Sequence, residues 1–561
     1  MKRLLPIMLS LLLLCGCASP ATQPAATETA PPTEPAPVIW DTAEIPYESR
    51  FDKETVIRLT DTGMDVTGPE SLSVFGSNDI IYYEDRDAYE SGNPYGEGTD
   101  ADKHTAEDAQ KHYVVNITAP GTYRVTGKLS AGQLRIDLGD DAYEDENAVV
   151  ELILDNADIT CTVAPAILFL NVYECDADRN EDNATPDVDT SRAGASLILE
   201  GKNTVSGSYV AKIFKDKDGE KKLWKQDGAI YSYMSMNVFG PGSLTLNAAN
   251  EGLDTERHLT VNGGDITILS DNDGINTNED NVSVTTVNAG TLHIVAGLGE
   301  EGDGIDSNGY LVINGGTVIS AAKPQADSGL DSDCGSFIHG GTVVALGAAM
   351  DWAESDSQQV TMNLQFNQRQ TGLLQITTEN GTEVFSFDPA SDQVLKDHNR
   401  GYQGAVISCP AFQVGDSYQV YSAGQQMAYT STDVMRGPGG FGGNRGDGFA
   451  PGGQGGNRGQ RPDVEIPSMP EGEIPEGGDR GKGPGNRGEG FGGQQPPEGF
   501  GGEPPAMPEG EMPSMPADWD PNDRGNRGNR GQGGQMPTGE GNTVFYMQDK
   551  VNFFSGLIAV E

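Results

Sequence analysis

The stretch Glu301–Ser320, EGDGIDSNGYLVINGGTVIS, sets carboxylates beside glycines and then places two short β-favouring runs on either side of Asn-Gly-Gly. It is one copy of a repeat. The segments LTVNGGDITIL (259–269), TTVNAGTLHIV (285–295), LVINGGTVISA (311–321) and SFIHGGTVVAL (336–346) align without gaps around their glycines. Val261, Val287, Ile313 and Ile338 recur 26, 26 and 25 residues apart, and Ile266, Leu292, Val318 and Val343 recur at the same spacings. A period in this range marks a solenoid. Apolar residues alternate within each unit, which is the period of a strand, and Gly263-Gly264 with its counterparts supplies a corner of positive φ. The expected fold is all-β: a right-handed parallel β-helix, because parallel crossovers are overwhelmingly right-handed. Weaker coils at VVELILDNADIT (149–160), ASLILEGKNTVSG (195–207) and MSMNVFGPGSLTLN (234–247) extend it towards the N-terminus. A β-sandwich suits a series of short strands but does not call for a coil-length repeat. Residues 358–422 lose the repeat and read as plain strands, a small C-terminal β cap.

The rest of the chain divides by composition. Residues 1–17 read as an export signal, with Lys2 and Arg3 before an apolar run too short to span a bilayer. Leu14-Cys15-Gly16-Cys17 resembles a bacterial lipobox, which would make Cys17 the lipidated first residue of the mature protein; the alternative is ordinary secretion with cleavage nearby. Either way the expected location is extracytoplasmic, and with the lipid, anchored at the bacterial cell surface. Residues 18–46 form a Pro/Thr-rich tether with little to bury. The β-helix is placed at 47–357 and the cap at 358–436. Residues 437–542 are a Gly/Pro-rich insertion expected to be disordered, and 543–561 a strand returning to the body.

The net charge is −48, from 36 Lys and Arg against 84 Asp and Glu. Such a surface repels nucleic acid and anionic lipid, so the only expected membrane contact is the lipid anchor. Cys161, Cys175, Cys334 and Cys409 are too few for a disulfide framework, although a Cys161–Cys175 bridge is permitted outside the cell. Scattered histidines and no paired CxxC argue against zinc.

The corners opening the coils are acidic: Asp227-Gly228, Glu251-Gly-Leu-Asp254-Thr, Asp273-Gly-Ile-Asn276-Thr, Asp303-Gly-Ile-Asp306-Ser and Ser328-Gly-Leu-Asp331-Ser. Rungs of a parallel stack lie about 4.8 Å apart. Like charges at that distance repel by roughly 1 to 3 kcal/mol between water-like and surface-like dielectrics. Between residues 227 and 347 there are 16 Asp and Glu but only Arg257 and Lys323 as bases, so internal ion pairs cannot neutralise the column. Hard oxygen donors in surplus suit Ca2+, and the expected ligands are Glu251, Asp254, Asp273, Asn276, Asp303, Asp306 and Asp331. A solvated acidic edge is the simpler alternative. Asp176, Asp178, Asn180 and Asp182 alternate like a calcium loop, but Glu181 stands where the turn glycine belongs, so a flexible acidic loop is expected there.

Several landmarks in order, ITAPGTYRVTGKLSAGQLRID (117–137), DGAIYS (227–232), the acidic corners, INGGTVIS, GAVISCPAFQVGDSYQVYSAG (404–424) and DKVNFFSG (549–556), resemble the clostridial-type, calcium-containing, parallel β-helix carbohydrate-binding proteins. The resemblance implies that fold, Ca2+ and binding of cellulose or acidic pectin-like glycan; it supplies no sugar-contacting residues. The expected function is therefore a noncatalytic, cell-surface carbohydrate-binding protein with polysaccharide as its partner. An acidic glycan would need calcium to bridge carboxylates, whereas a neutral one would need aromatic platforms, for which Tyr231, Tyr233, Tyr310 and Trp352 are candidates. The alternatives are a polysaccharide-degrading β-helix enzyme, glycoside hydrolase or lyase, and a structural adhesin. A lyase is disfavoured because it commonly needs a cationic base.

Overall fold

The computed structural model describes residues 45–83, 102–217, 220–324, 326–348, 351–432 and 541–560. The leader with Cys17, the tether to residue 44, most of the acidic segment at 84–108, and the Gly/Pro-rich segment from 433 to 540 lie outside them. The described chain is all-β, with one short helix at Ala106–Ala109 and three 3-10 turns.

Three ladders of parallel strands carry the repeat. One runs through Tyr113–Ile117, Gly132–Asp137, Ile167–Asn171, Gly228–Ser232, Glu251–Thr255, Ile275–Thr277, Ile305–Ser307 and Leu330–Ser332. A second links Glu54–Thr60, Gly121–Leu129, Val150–Thr160, Ala195–Glu200, Met236–Phe239 and the first halves of Leu259–Ser270 and Val284–Val295, ending at Tyr310–Ile313 and Gly335–Ile338. The third joins Lys202–Gly207, Ser243–Ala248, the second halves of the two long strands, Thr317–Ala321 and Thr342–Gly347. Val261, Val287, Ile313 and Ile338 pair in register and are fully buried, as are Ile266, Leu292, Val318 and Val343. The repeat therefore stacks like on like, and one apolar column continues through the molecule. Gly264, Gly290, Gly316 and Gly341 occupy the corner between the last two ladders with φ of 97°, 85°, 75° and 79°, a region closed to most L residues.

The cap is continuous with the third ladder. Thr342–Gly347 pairs antiparallel with Tyr402–Ser408, which pairs in turn with Thr361–Gln370, and Val551–Ala559 lies parallel to that strand. Val295, Ile319, Val344 and Leu346 turn away from the repeat's core and build a second apolar cluster with Met362, Leu364, Phe366, Ile407 and Leu557. This is why the coils here look hydrophobic on both faces.

Two features depart from the expectations. A hairpin, Val210–Lys217 against Glu220–Gln226, projects from the coils where no strand pair is anticipated. The segment around Asp176–Asp187 is docked, not a flexible loop. Arg179 is buried and donates to the carbonyl oxygens of Val282, Asp187 and Thr185, while His258, fully buried, holds Nε2 3.3 Å from Asp176 Oδ2. All four described cysteines are free thiols, so Cys161 and Cys175 are not bridged.

Candidate metal centre and acidic trough

The first ladder explains how the acids meet. Asp254 pairs with Asn276, Asn276 with Asp306, and Asp306 with Asp331, one per rung. The preceding residues, Leu253, Ile275, Ile305 and Leu330, are fully buried in the core, so the acids project from the opposite face of the same short strands. Each corner needs its glycine. A Cβ on Gly274 would sit 2.2 Å from Ile294 Cγ2 and 2.5 Å from the carbonyl oxygen of Gly304, so only glycine lets successive corners stack this closely.

At one end of the column the side chains converge. One carboxylate oxygen from each of Asp227, Glu251 and Asp254 lies within 4.8 Å of the others, and all three residues are buried. Asp254 is fully sealed from solvent, and burial, then the charges of Glu251 and Asp227, push its carboxyl well above the usual carboxylate range. Asp227 takes an ion pair from Lys225 on its outer side.

Asn278 orients this end. Its Nδ2 donates to Asp254 Oδ1 at 2.5 Å, which leaves its Oδ1 to face Asn276 Nδ2 at 3.5 Å. Asn276 thereby turns its own Oδ1 free. The buried atoms left without a partner are Glu251 Oε2, Asp254 Oδ2 and Asn276 Oδ1. With the carboxyls ionised all three are oxygens that accept and cannot donate, and leaving buried acceptors unmatched is costly, which is why burial favours a proton on Asp254 where no cation is bound. Such a donor set fits a hard cation, with further oxygens from carbonyls or water completing six to eight ligands in the case of Ca2+.

Farther along, the column is more open but still perturbed. Burial and then the charge of Asp331 raise the Asp303 carboxyl to about 7, and burial with Asp331 and Asp303 raises Asp306 to about 8. Asp273 is pushed well above its usual range by burial and by Glu251. Asp273 accepts from the Asp303 amide at 2.7 Å and Asp303 from the Ser328 amide at 2.5 Å, so these two corners are tied to their successors. Asp351 adds a carboxyl not anticipated from the repeat, accepting from Ser332 Oγ at 2.7 Å and raised to about 7 chiefly by burial. Of the expected ligands, the structure brings Glu251 and Asp254 together with Asp227, which the expected set lacks, and strings the remainder along the trough. The two bases of the repeat are engaged elsewhere: Arg257 Nε pairs with Glu279 at 2.7 Å, and Lys323 donates to the carbonyls of Gly299 and Glu300.

Two of the four aromatic candidates, Tyr231 and Tyr233, are placed differently from expectation. Tyr231 is fully buried, its hydroxyl donating to Glu256, and its ring centroid lies 5.1 Å from that of Tyr233, which is 7% exposed. Neither ring can offer a face to a sugar. Gln226 and the carbonyl of Lys225, at the base of the unanticipated hairpin, meet the Tyr233 hydroxyl and help cover it. Tyr310 is half-buried, its hydroxyl 3.4 Å from the Ala184 carbonyl and its ring 6.5 Å from Phe337. Trp352 packs edge-on against Phe553.

A protein-family model described as "Carbohydrate-binding domain-containing protein" matches residues 111–383, the segment that holds the trough. A carbohydrate-binding domain-containing protein of Acetivibrio thermocellus is 28% identical over 155 residues, 28% of this chain. The match spans 44% of that relative's length. Among solved structures, one described as the polysaccharide lyase-like protein from C. thermocellum, gadolinium derivative, aligns at 19% identity over 54% of this chain and 93% of that chain, with a TM-score of 0.30. By sequence, then, the coils from 111 onward are similar to carbohydrate-binding domains.

Proposed function

We propose that the protein is a noncatalytic polysaccharide-binding protein whose ladders wind as a right-handed parallel β-helix and whose acidic trough holds Ca2+. The observation that carries the metal is the oxygen set at one end of the column: three buried oxygens with no hydrogen-bond partner beside the Asp227 carboxylate, on the stretch that matches the carbohydrate-binding family model. Glu251, Asp254 and Asn276 would hold the ion with Asp227, and the bound cation would supply fixed positive charge to an otherwise anionic face. The protein's own part is to order the oxygens: Asn278 sets the amide of Asn276, and the stacked glycines set the rung spacing.

The ligand class follows from the charge. A chain of net charge −48 approaches an acidic glycan only where cations neutralise it, so a pectin-like polymer would bind through the trough and cellulose would bind independently of it. Lipidation at Cys17 would keep the protein at the cell surface. The test is a glycan array probed with and without chelator, paired with a reducing-sugar and unsaturated-product assay on the bound glycans. Saturable binding to polygalacturonate that falls on chelation is expected. Absence of binding to any glycan would refute the reading, and release of shortened or unsaturated sugars would replace it with an enzyme.

A further inference from the structure

The strongest anomaly outside the trough is basic. Between residues 258 and 432 the sequence has 21 Asp and Glu but four Lys and Arg: Lys323, Arg369, Lys396 and Arg400. With acids so abundant, every arginine should find one. Arg400 does not. It is 7% exposed, sits where the cap meets the coil, and donates through Nη2 to the carbonyl of Ala296; Asp327 is the acid whose charge reaches it, and it forms no ion pair with Arg400 among the described residues. Its Nε is buried and without a partner. Arg369, from the end of the cap strand Thr361–Gln370, lies alongside, its Nη2 donating to the Asn399 carbonyl at 2.7 Å, and its Nε is also buried and unmatched. Gly401 makes the approach possible, since a Cβ there would stand 3.0 Å from Arg369 Nε and 2.4 Å from the Gln370 carbonyl.

Two buried guanidinium N–H donors, one from each arginine, are thus left over at one seam. A buried charge with no carboxylate paired directly to it is costly, and a second like charge beside it adds to the cost. Burial and then the Arg369 charge lower Arg400 to about 10, and the Asp327 carboxylate, acting from beyond ion-pair range, offsets only part of this. An anion relieves all of this at once, and the planar, forked guanidinium suits a carboxylate whose two oxygens can each take one N–H.

We infer that Arg369 and Arg400 form a carboxylate-binding site that takes the acid group of a uronate residue, an inference that rests on the carbohydrate-binding reading and adds to it a contact that needs no metal. The test uses the full chain stripped of metal and kept in chelator, titrated by calorimetry with trigalacturonate and with its fully methyl-esterified, neutral form. The acid should bind at least about ten-fold more tightly than the ester, since charge-assisted hydrogen bonds are the strong ones. Arg369→Gln should remove most of that difference and leave ester binding unchanged; Arg369→Lys, which keeps charge but loses the fork, should restore part of it. Arg369 is read first because it is half-buried, and circular dichroism establishes that each variant is folded. Equal affinity of wild type and Arg369→Gln for the acid overturns the inference while leaving glycan binding standing. Competition by sulfate or phosphate with no effect of galacturonate also overturns it. If no glycan binds at all, melting in acetate against chloride at equal ionic strength decides. A rise in the wild type that is lost in Arg369→Gln keeps the carboxylate site without the sugar, and no rise removes it.

Discussion

Stripping metal from the trough should make stability depend on pH in the direction opposite to that of most proteins. A carboxyl that keeps its proton to higher pH when folded than when unfolded favours folding at low pH, and that contribution is lost as pH rises through the folded value. Asp303, Asp306 and Asp351 are raised to about 7, 8 and 7, chiefly by burial and with Asp331 as a shared neighbour. For Asp303 alone, moving from about pH 5 to about pH 8 removes about 2 to 3 kcal/mol in the metal-free protein, one pKa unit being worth about 1.4 kcal/mol. The neighbours share the same charges, so their contributions are not additive. A total loss of several kcal/mol is the order expected, enough to lower melting by several degrees. Added Ca2+ should reverse the loss at about pH 8 and do little at about pH 5, where protons hold the sites, because a ligand of the folded state stabilises by mass action. Scanning calorimetry of a verified metal-free sample at both pH values, with and without Ca2+, reads all four conditions. Asp303→Asn with Asp306→Asn should flatten the pH slope and blunt the Ca2+ response. Equal melting at the two pH values, or a Ca2+ effect of the same size in both, would refute the argument.

Ile313→Asp should be severely destabilising, by more than about 4 kcal/mol, because it places an unpaired charge in a fully buried apolar column; loss of the cooperative melt by circular dichroism reads it. Lys225→Met should tighten Ca2+ binding several-fold, since Lys225 is a cation already paired with Asp227 beside the converging oxygens; weaker binding on calorimetric titration would show that Lys225 supports the site and does not compete with it. Cys17→Ala should shift the protein from the membrane to the soluble fraction on centrifugation, because a lipid at Cys17 would be its anchor.

What could be read from the sequence was what repeats. Val261, Val287, Ile313 and Ile338 meet because the coil length is nearly constant, and the same constancy lines up Asp254, Asn276, Asp306 and Asp331. What could not be read depends on single contacts between distant segments. Arg179 is held by Val282, 103 residues away, and Arg400 by Ala296, 104 residues away. Neither pairing has a periodic trace. Asp227 was visible as an acidic corner, but its approach to Glu251 and Asp254 depends on how the chain leaves the hairpin at Gln226. Tyr231 misled for a related reason. It sits in register with Asp254, one rung from the acids, and residues that share a ladder position need not share exposure once a neighbouring element covers one end of the ladder. Asn278 alone left a faint sign, as the second asparagine of Asn276-Thr277-Asn278 in a corner where the other coils offer none in that pairing.

The placement of charge ties these observations into one physical argument. Arg257 and Lys323, the bases within the repeat, are taken by Glu279 and by backbone carbonyls, and the arginines of the cap donate to the carbonyls of Asn399 and Ala296. Lys225 pairs with Asp227 at one end. Neither Arg257 nor Lys323 is therefore spent on the acidic column. Crowding buried carboxyls along one ladder costs stability, and the cost falls when protons or cations reach them. If Ca2+ binds as proposed, this arrangement, with Asn278 fixing which oxygens face inward, would make the folded state respond to the ions around it, and a glycan face resting on these coils would be firm where calcium is plentiful and loosened where it is not.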